Sequence, residues 1–119
     1  MKTMKTRLTQ LDRIIRDHHT NPAFSVERMT ELLHISSSYL REIVYRERHT
    51  HPNELIELYR LNRARQLLHD PAIPIQEVSL RVGYWNPKTF RSAFRKRFGT
   101  SPSEYRDETF AHTPKSGCE

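Results

Sequence analysis

Gly83-Tyr84-Trp85-Asn86-Pro87-Lys88-Thr89-Phe90-Arg91-Ser92-Ala93-Phe94-Arg95-Lys96-Arg97-Phe98-Gly99 reads as a tight turn followed by one short, fully punctuated helix. Asn86 can cap free backbone N–H groups, and Pro87 suits the first helical position, where a missing N–H costs nothing. Gly99 can take the left-handed conformation that ends a helix. Between these marks Phe90, Phe94 and Phe98 recur every fourth residue and predict one buried aromatic stripe. At about 100° per residue, Lys88, Ser92 and Arg95 fall opposite that stripe, flanked by Arg91 and Lys96. The helix has an apolar back and a basic front.

Residues 81–98 hold Arg81, Lys88, Arg91, Arg95, Lys96 and Arg97 and no acid, so this stretch carries the chain's whole net charge of +6. A solvated basic face is the ordinary explanation of a charge run. Here the caps, the apolar stripe and the acid-free front share one element. That combination points to a polyanion whose phosphates release counterions when neutralised.

With 119 residues the chain suits one domain with a modest core. Met1-Lys2-Thr3-Met4-Lys5-Thr6-Arg7 leads straight into an amphipathic segment, without the apolar run of a signal peptide. No apolar run approaches a membrane span. The expectation is a cytoplasmic protein with no membrane partner. The single cysteine, Cys118, leaves neither a disulfide scaffold nor a Cys-based zinc site. Period-two stretches between turn residues are nearly absent and helical spacing is everywhere, which predicts an all-α chain.

Leu8, Leu11, Ile14 and Ile15 form the apolar face of a first helix that Asn21-Pro22 ends. Ser25 caps a second helix with Val26, Met29, Leu32 and Leu33 inward, and Ser36 caps a third backed by Leu40, Ile43 and Val44. Opposite Leu40 lie Ser38, Arg41, Glu42 and Tyr45. A longer helix, apolar around much of its circumference, runs over 52–69. Ile75, Val78 and Val82 mark a fifth helix before the basic sixth. Ser101-Pro102-Ser103-Glu104 is a capping box for a last helix over 101–108. Residues 111–119 read as a disordered tail, leaving a domain over 1–110.

The two halves also superimpose. Val26, Met29, Leu33 and Ile35 match Ile75, Val78, Val82 and Tyr84 at a shift of 49, and Ser36, Leu40 and Val44 match Asn86, Phe90 and Phe94 at 50. Trp85 or a neighbour is the extra residue. About seven helices thus contain two helix-turn-helix units, 25–48 and 74–98, joined by the long linker helix.

These residues resemble the DNA-binding domain of the AraC/XylS family of bacterial transcription regulators. Val82-Gly83-Tyr84, Phe90, and Ala93-Phe94-Arg95-Lys96-Arg97-Phe98-Gly99-Thr100-Ser101-Pro102-Ser103-Glu104-Tyr105-Arg106 carry the most specific part. Ser36-Ser37-Ser38-Tyr39-Leu40 and Arg60-Leu61-Asn62-Arg63-Ala64 extend it through the first unit and the linker.

The resemblance implies a sequence-specific regulator of transcription, an activator that touches RNA polymerase. It would bind double-stranded DNA as a monomeric unit, with its third and sixth helices in successive major grooves of an asymmetric two-box site. By position, Ser37, Ser38, Arg41, Glu42 and Tyr45 would face the first groove, and Pro87, Lys88, Arg91, Ser92 and Arg95 the second, with Lys96 beside them. The chain departs from the family at Thr30 and Ser79, where Ala is common, and at His49, where Gly usually ends the helix. Glu42 and Ser92 replace longer donors.

No enzyme is expected, since the chain offers no Gly-rich phosphate loop, no apolar acid pair and no catalytic Cys. No cofactor is implied. His18-His19 point about 100° apart on a helix, and His49-Thr50-His51 lack partners for a tetrahedral set, so no metal is expected. Trp85 reads as a turn plug or a backbone contact rather than a base-stacking platform. The competing reading of the whole is an α-helical protein-interaction module without nucleic-acid binding.

Overall fold

Ser25, Ser36 and Asn86 each occupy the position just before a helix, with the side-chain oxygen accepting a backbone N–H from the first turn. The computed structural model describes the backbone of residues 4–118 and the side chains of residues 6–110. Its elements are α1 (Met4–His18), α2 (Val26–Leu33), α3 (Ser37–Arg48), α4 (Pro52–Leu67), α5 (Ile75–Arg81), α6 (Pro87–Phe98) and α7 (Pro102–Cys118). No strand occurs among the described residues. The chain divides into two units, one ending at Arg60 and the other beginning at Leu61.

Leu8, Leu11 and Ile15 of α1 pack with Met29, Leu33, Leu40, Ile43 and Val44 in the first unit, and Leu55 and Ile56 of α4 close that core. The other half of α4 supplies Leu61 and Ala64 to the second core, with Leu68, Val78, Val82, Tyr84, Phe90 and Phe94. This explains the apolar circumference of α4: its two ends serve different cores. Asp12 ties the first unit together. It takes a bidentate pair from Arg48, at 3.2 and 2.8 Å, and the hydroxyl of Tyr59 at 3.1 Å. That hydrogen bond raises Arg48 above its ordinary value, while burial, then the Asp12 charge, push the Tyr59 phenol up.

The duplication reaches further than the helix-turn-helix units. In the first turn the amide of Ile35 donates to Thr30 and that of His34 to Glu31; in the second, Tyr84 donates to Ser79 and Gly83 to Leu80. Asn21 and Asp70 each accept, at 2.9 Å, the amide two residues on. Arg60 then donates to the carbonyls of His19, Asn21 and Phe24, and Arg106 to those of Leu68, Asp70 and Ile73. Each arginine thus holds the bend that leads into its own helix-turn-helix.

The departures have local physics. His49 adopts φ 56°, the left-handed conformation expected to favour Gly, and His34 does the same at φ 58°. Thr30 satisfies its hydroxyl on the Glu27 carbonyl at 2.7 Å. Ser79 is fully buried, and its hydroxyl has no hydrogen-bond partner among the described residues. Ser79→Ala is therefore expected to raise stability by about 1 kcal/mol, since it removes a buried unsatisfied group. Thr30→Ala should not stabilise. Thermal denaturation of the two variants checks this, and a lower melting point for Ser79→Ala would mean that its hydroxyl is paired.

α7 begins on a reciprocal box: Glu104 accepts the Ser101 amide at 3.0 Å and the Thr100 hydroxyl at 3.1 Å, and Ser101 Oγ accepts the Glu104 amide at 3.1 Å. At the start of α4 the Glu54 carboxylate likewise accepts the Thr50 hydroxyl and the His51 amide. The Ser101 amide, then the Thr100 hydroxyl, hold the Glu104 carboxyl below its ordinary 4.5. A depressed carboxyl contributes stability in full above that ordinary value and loses it as pH falls through the lowered one. Glu104→Gln should therefore destabilise at neutral pH and converge with the unsubstituted chain in acid, as pH-dependent melts would record. A deficit that persists in acid would point to lost packing instead.

Two boundaries differ from expectation. α4 ends at Leu67, short of 69. The α7 backbone stays helical to Cys118, past the expected end at 108 and into the expected disordered tail, with Pro114 inside it. The side chains of residues 111–118, and residue 119 as a whole, lie outside the described residues.

Candidate nucleic-acid interface

The apolar back of α6 is anchored deeply. Phe90 and Phe94 are fully buried, and the guanidinium of Arg65 covers the half-buried Phe98 at 4.6 Å. Asn86 Oδ1 accepts the Lys88 amide at 2.8 Å, and Gly99 ends the helix at φ 79°. This anchoring presents Lys88, Arg91, Ser92, Arg95 and Lys96 to solvent, with Pro87 half-buried at the first turn. Among the described residues none of these four cations has an acidic partner within ion-pairing distance, whereas Arg81 pairs with Glu77.

Position along the helix separates two kinds of cation. Arg95 and Lys96 sit in the last turn, where the helix dipole favours positive charge, so they have a structural reason to be there. Lys88 sits in the first turn, where the dipole disfavours a cation, and Arg91 lies one turn further on, outside the reach of either helix end. Helix electrostatics gives these two no reason to be there.

α3 is built alike with different chemistry. Leu40, Ile43 and Val44 are fully buried, and Ser36 Oγ accepts the Tyr39 amide at 3.1 Å. Ser37, Ser38, Arg41, Glu42 and Tyr45 are all exposed. The Glu42 carboxylate accepts from Arg46 at 2.8 Å, an exposed pair one turn apart. Tyr45 stacks on His51, with centroids 6.0 Å apart and planes 25° apart, and meets His49 edge-on. Ser38, Arg41, Glu42, Tyr45 and His51 line an open hollow of about 530 Å³.

A helix-turn-helix domain profile matches residues 29–108. The chain is 32% identical over 104 residues to the Msm operon regulatory protein of Streptococcus mutans, covering 87% of this chain and 37% of that protein. It is 35% identical over 95 residues to histidine kinase P4 of Formosa agariphila, covering 80% of this chain and 7% of that protein. The chain thus spans well under half the length of these relatives. A solved structure from Chromobacterium violaceum, described as a transcriptional regulator with an AraC-type DNA-binding domain, superimposes with a TM-score of 0.80 at 25% identity, covering 87% of this chain and 92% of that one. The chain belongs to the AraC-type helix-turn-helix family.

It is thus a DNA-binding unit. Within this AraC-type frame the residues singled out from the sequence gather in two sets, one on the exposed face of α3 and one on that of α6. Sequence reasoning missed His51 as a neighbour of the first set. It weighed His51 as a metal ligand, while the ring lies against Tyr45. The i, i+6 separation of Tyr45 and His51 crosses a helix end, so helical periodicity could not have paired them. Of the two expected roles of Trp85, the turn plug does not hold, since the indole is 73% exposed; the backbone contact stays an expectation. Among the described residues no helix is long and apolar enough to cross a membrane, and no three His, Cys, Asp or Glu side chains form a metal-holding group.

Proposed function

We propose that this chain is the DNA-reading part of a sequence-specific transcription regulator, with the exposed faces of α3 and α6 entering successive major grooves of one asymmetric duplex site. The observation that carries this reading is the pair of cations, Lys88 and Arg91, exposed without acidic partners among the described residues on the N-terminal half of a rigidly anchored helix. In the proposed complex Arg41 and Arg91 meet base edges or phosphates, Ser37, Ser38, Tyr45 and Ser92 supply shorter contacts, and Arg95 and Lys96 follow the backbone. Pro87 sets the start of α6 against the groove.

Glu42 has a further part in this reading. A carboxylate facing a duplex costs affinity, yet it can accept from a cytosine amino group; the exposed ion pair with Arg46 is the competing account of Glu42 and would have to open for that contact. The chain acts as a monomeric unit in the cytoplasm, activating transcription through contact with RNA polymerase. Selection of bound sites from random duplex DNA, followed by footprinting, tests the arrangement. Two dissimilar boxes centred about one helical turn apart are expected. Protection of a single groove, or strict palindromes bound by dimers, would overturn it. Steep loss of binding with rising salt separates this reading from an apolar protein-interaction surface.

A further inference from the structure

The two helix-turn-helix units differ in length at one residue, and the structure identifies it. The backbone bonds of the turns correspond at a shift of 49 as far as Ile35 and Tyr84. The caps of the following helices, Ser36 and Asn86, correspond at 50. Trp85 is therefore the inserted residue. It is also the only tryptophan of the chain, and it stands 73% exposed immediately before the cap of α6. Tryptophan is highly buried on average, so an indole displayed on a one-residue insertion is costly unless something covers it.

Charge identifies the cover. The stretch that holds this indole, 81–98, contains six cations and no acid, and of the six only Arg81 is paired among the described residues, with Glu77, so the segment suits a phosphate chain better than a basic protein face. An indole offers a flat apolar face to a deoxyribose and one N–H donor to a phosphate oxygen. The base edges of the groove are the province of α6 itself. We propose that Trp85 is a positioning residue that packs on the sugar–phosphate backbone flanking the groove entered by α6 and fixes the depth of that helix. This rests on the DNA-binding reading above and adds to it a contact made by a turn.

Because Trp85 is the sole tryptophan, its own emission reports the contact. The probe is a fluorescein-labelled random-sequence duplex of about 30 base pairs, roughly three turns, at low salt. Label anisotropy follows binding while acrylamide quenching follows the indole. Protection of Trp85 from acrylamide should develop in parallel with the anisotropy. Trp85→Ala should melt like the unsubstituted chain and bind every duplex about tenfold more weakly, with an unchanged slope of log affinity against log salt, since no cation is lost. Anisotropy that saturates while the indole stays fully quenchable would overturn the inference and leave the DNA-binding reading intact. So would a Trp85→Ala variant that binds normally, or one that loses preference at a single base pair. Failure of the unsubstituted chain to bind any duplex would remove both.

Discussion

Lys88→Ala combined with Arg91→Ala is expected to weaken binding to a selected duplex site by about a hundredfold or more, each side chain contributing roughly 1–3 kcal/mol. Both residues are exposed on a helix whose opposite face is fully buried, and neither has an acidic partner to release. Their removal should leave the fold unharmed. Relief of repulsion between Lys88 and the positive end of α6 would raise stability by a few tenths of a kcal/mol. Arg13→Ala removes an equally exposed cation from α1 and should change little. Fluorescence anisotropy at several salt concentrations separates the contributions. A shallower salt slope in the double variant assigns the pair to phosphates, and a flattened preference at particular base pairs assigns it to base edges. Equal losses for Arg13→Ala and the double variant would mean that α6 has no privileged place in the interface.

What could be read in the sequence was what obeys local rules. Ser25, Ser36, Asn86 and Gly99 mark helix ends because each meets a backbone need within three or four residues of itself. The buried faces of α2, α3 and α6 follow from helical spacing alone, and with them the residues left on the opposite, exposed faces. Long-range features were not legible in the same way. Arg60 and Arg106 perform the same clamp, yet they lie 46 apart while the carbonyls they hold lie 49 apart. They reach their bends from different turns of their helices, so no constant shift pairs them.

The structure also assigns the split loyalty of α4, which the sequence shows only as apolar residues on many sides. Exposure of Trp85 was hidden for a related reason. Whether an aromatic residue in a turn is covered depends on what packs above it, which adjacent residues do not encode. The Tyr45–His51 stack likewise depends on how α3 ends, at a histidine in a conformation usually given to glycine.

Phe94→Ala should cost about 3–5 kcal/mol of stability, more than a unit of this size is expected to spare. Phe94 is fully buried and forms the centre of an aromatic group: Phe90 lies 5.8 Å away, Phe98 4.7 Å edge-on, and Tyr105 5.8 Å edge-on. Truncation would leave a ring-sized void among rings that cannot collapse into it without leaving their own contacts. The corresponding residue of the first unit is Val44, equally buried but in a core made mostly of Leu, Ile and Met side chains, with Phe24 its one buried aromatic among the described residues. Val44→Ala removes fewer atoms, from a neighbourhood able to relax, and about 1–3 kcal/mol is expected. The comparison therefore tests whether the second unit depends on aromatic packing to hold its basic helix. Hydrogen exchange is the measurement that separates the units. In Phe94→Ala, amides of α5 and α6 should lose protection before those of α1 to α3, and duplex binding should fall with them. Uniform loss along the whole chain would mean that the two cores unfold as one, with α4 transmitting the damage from one to the other.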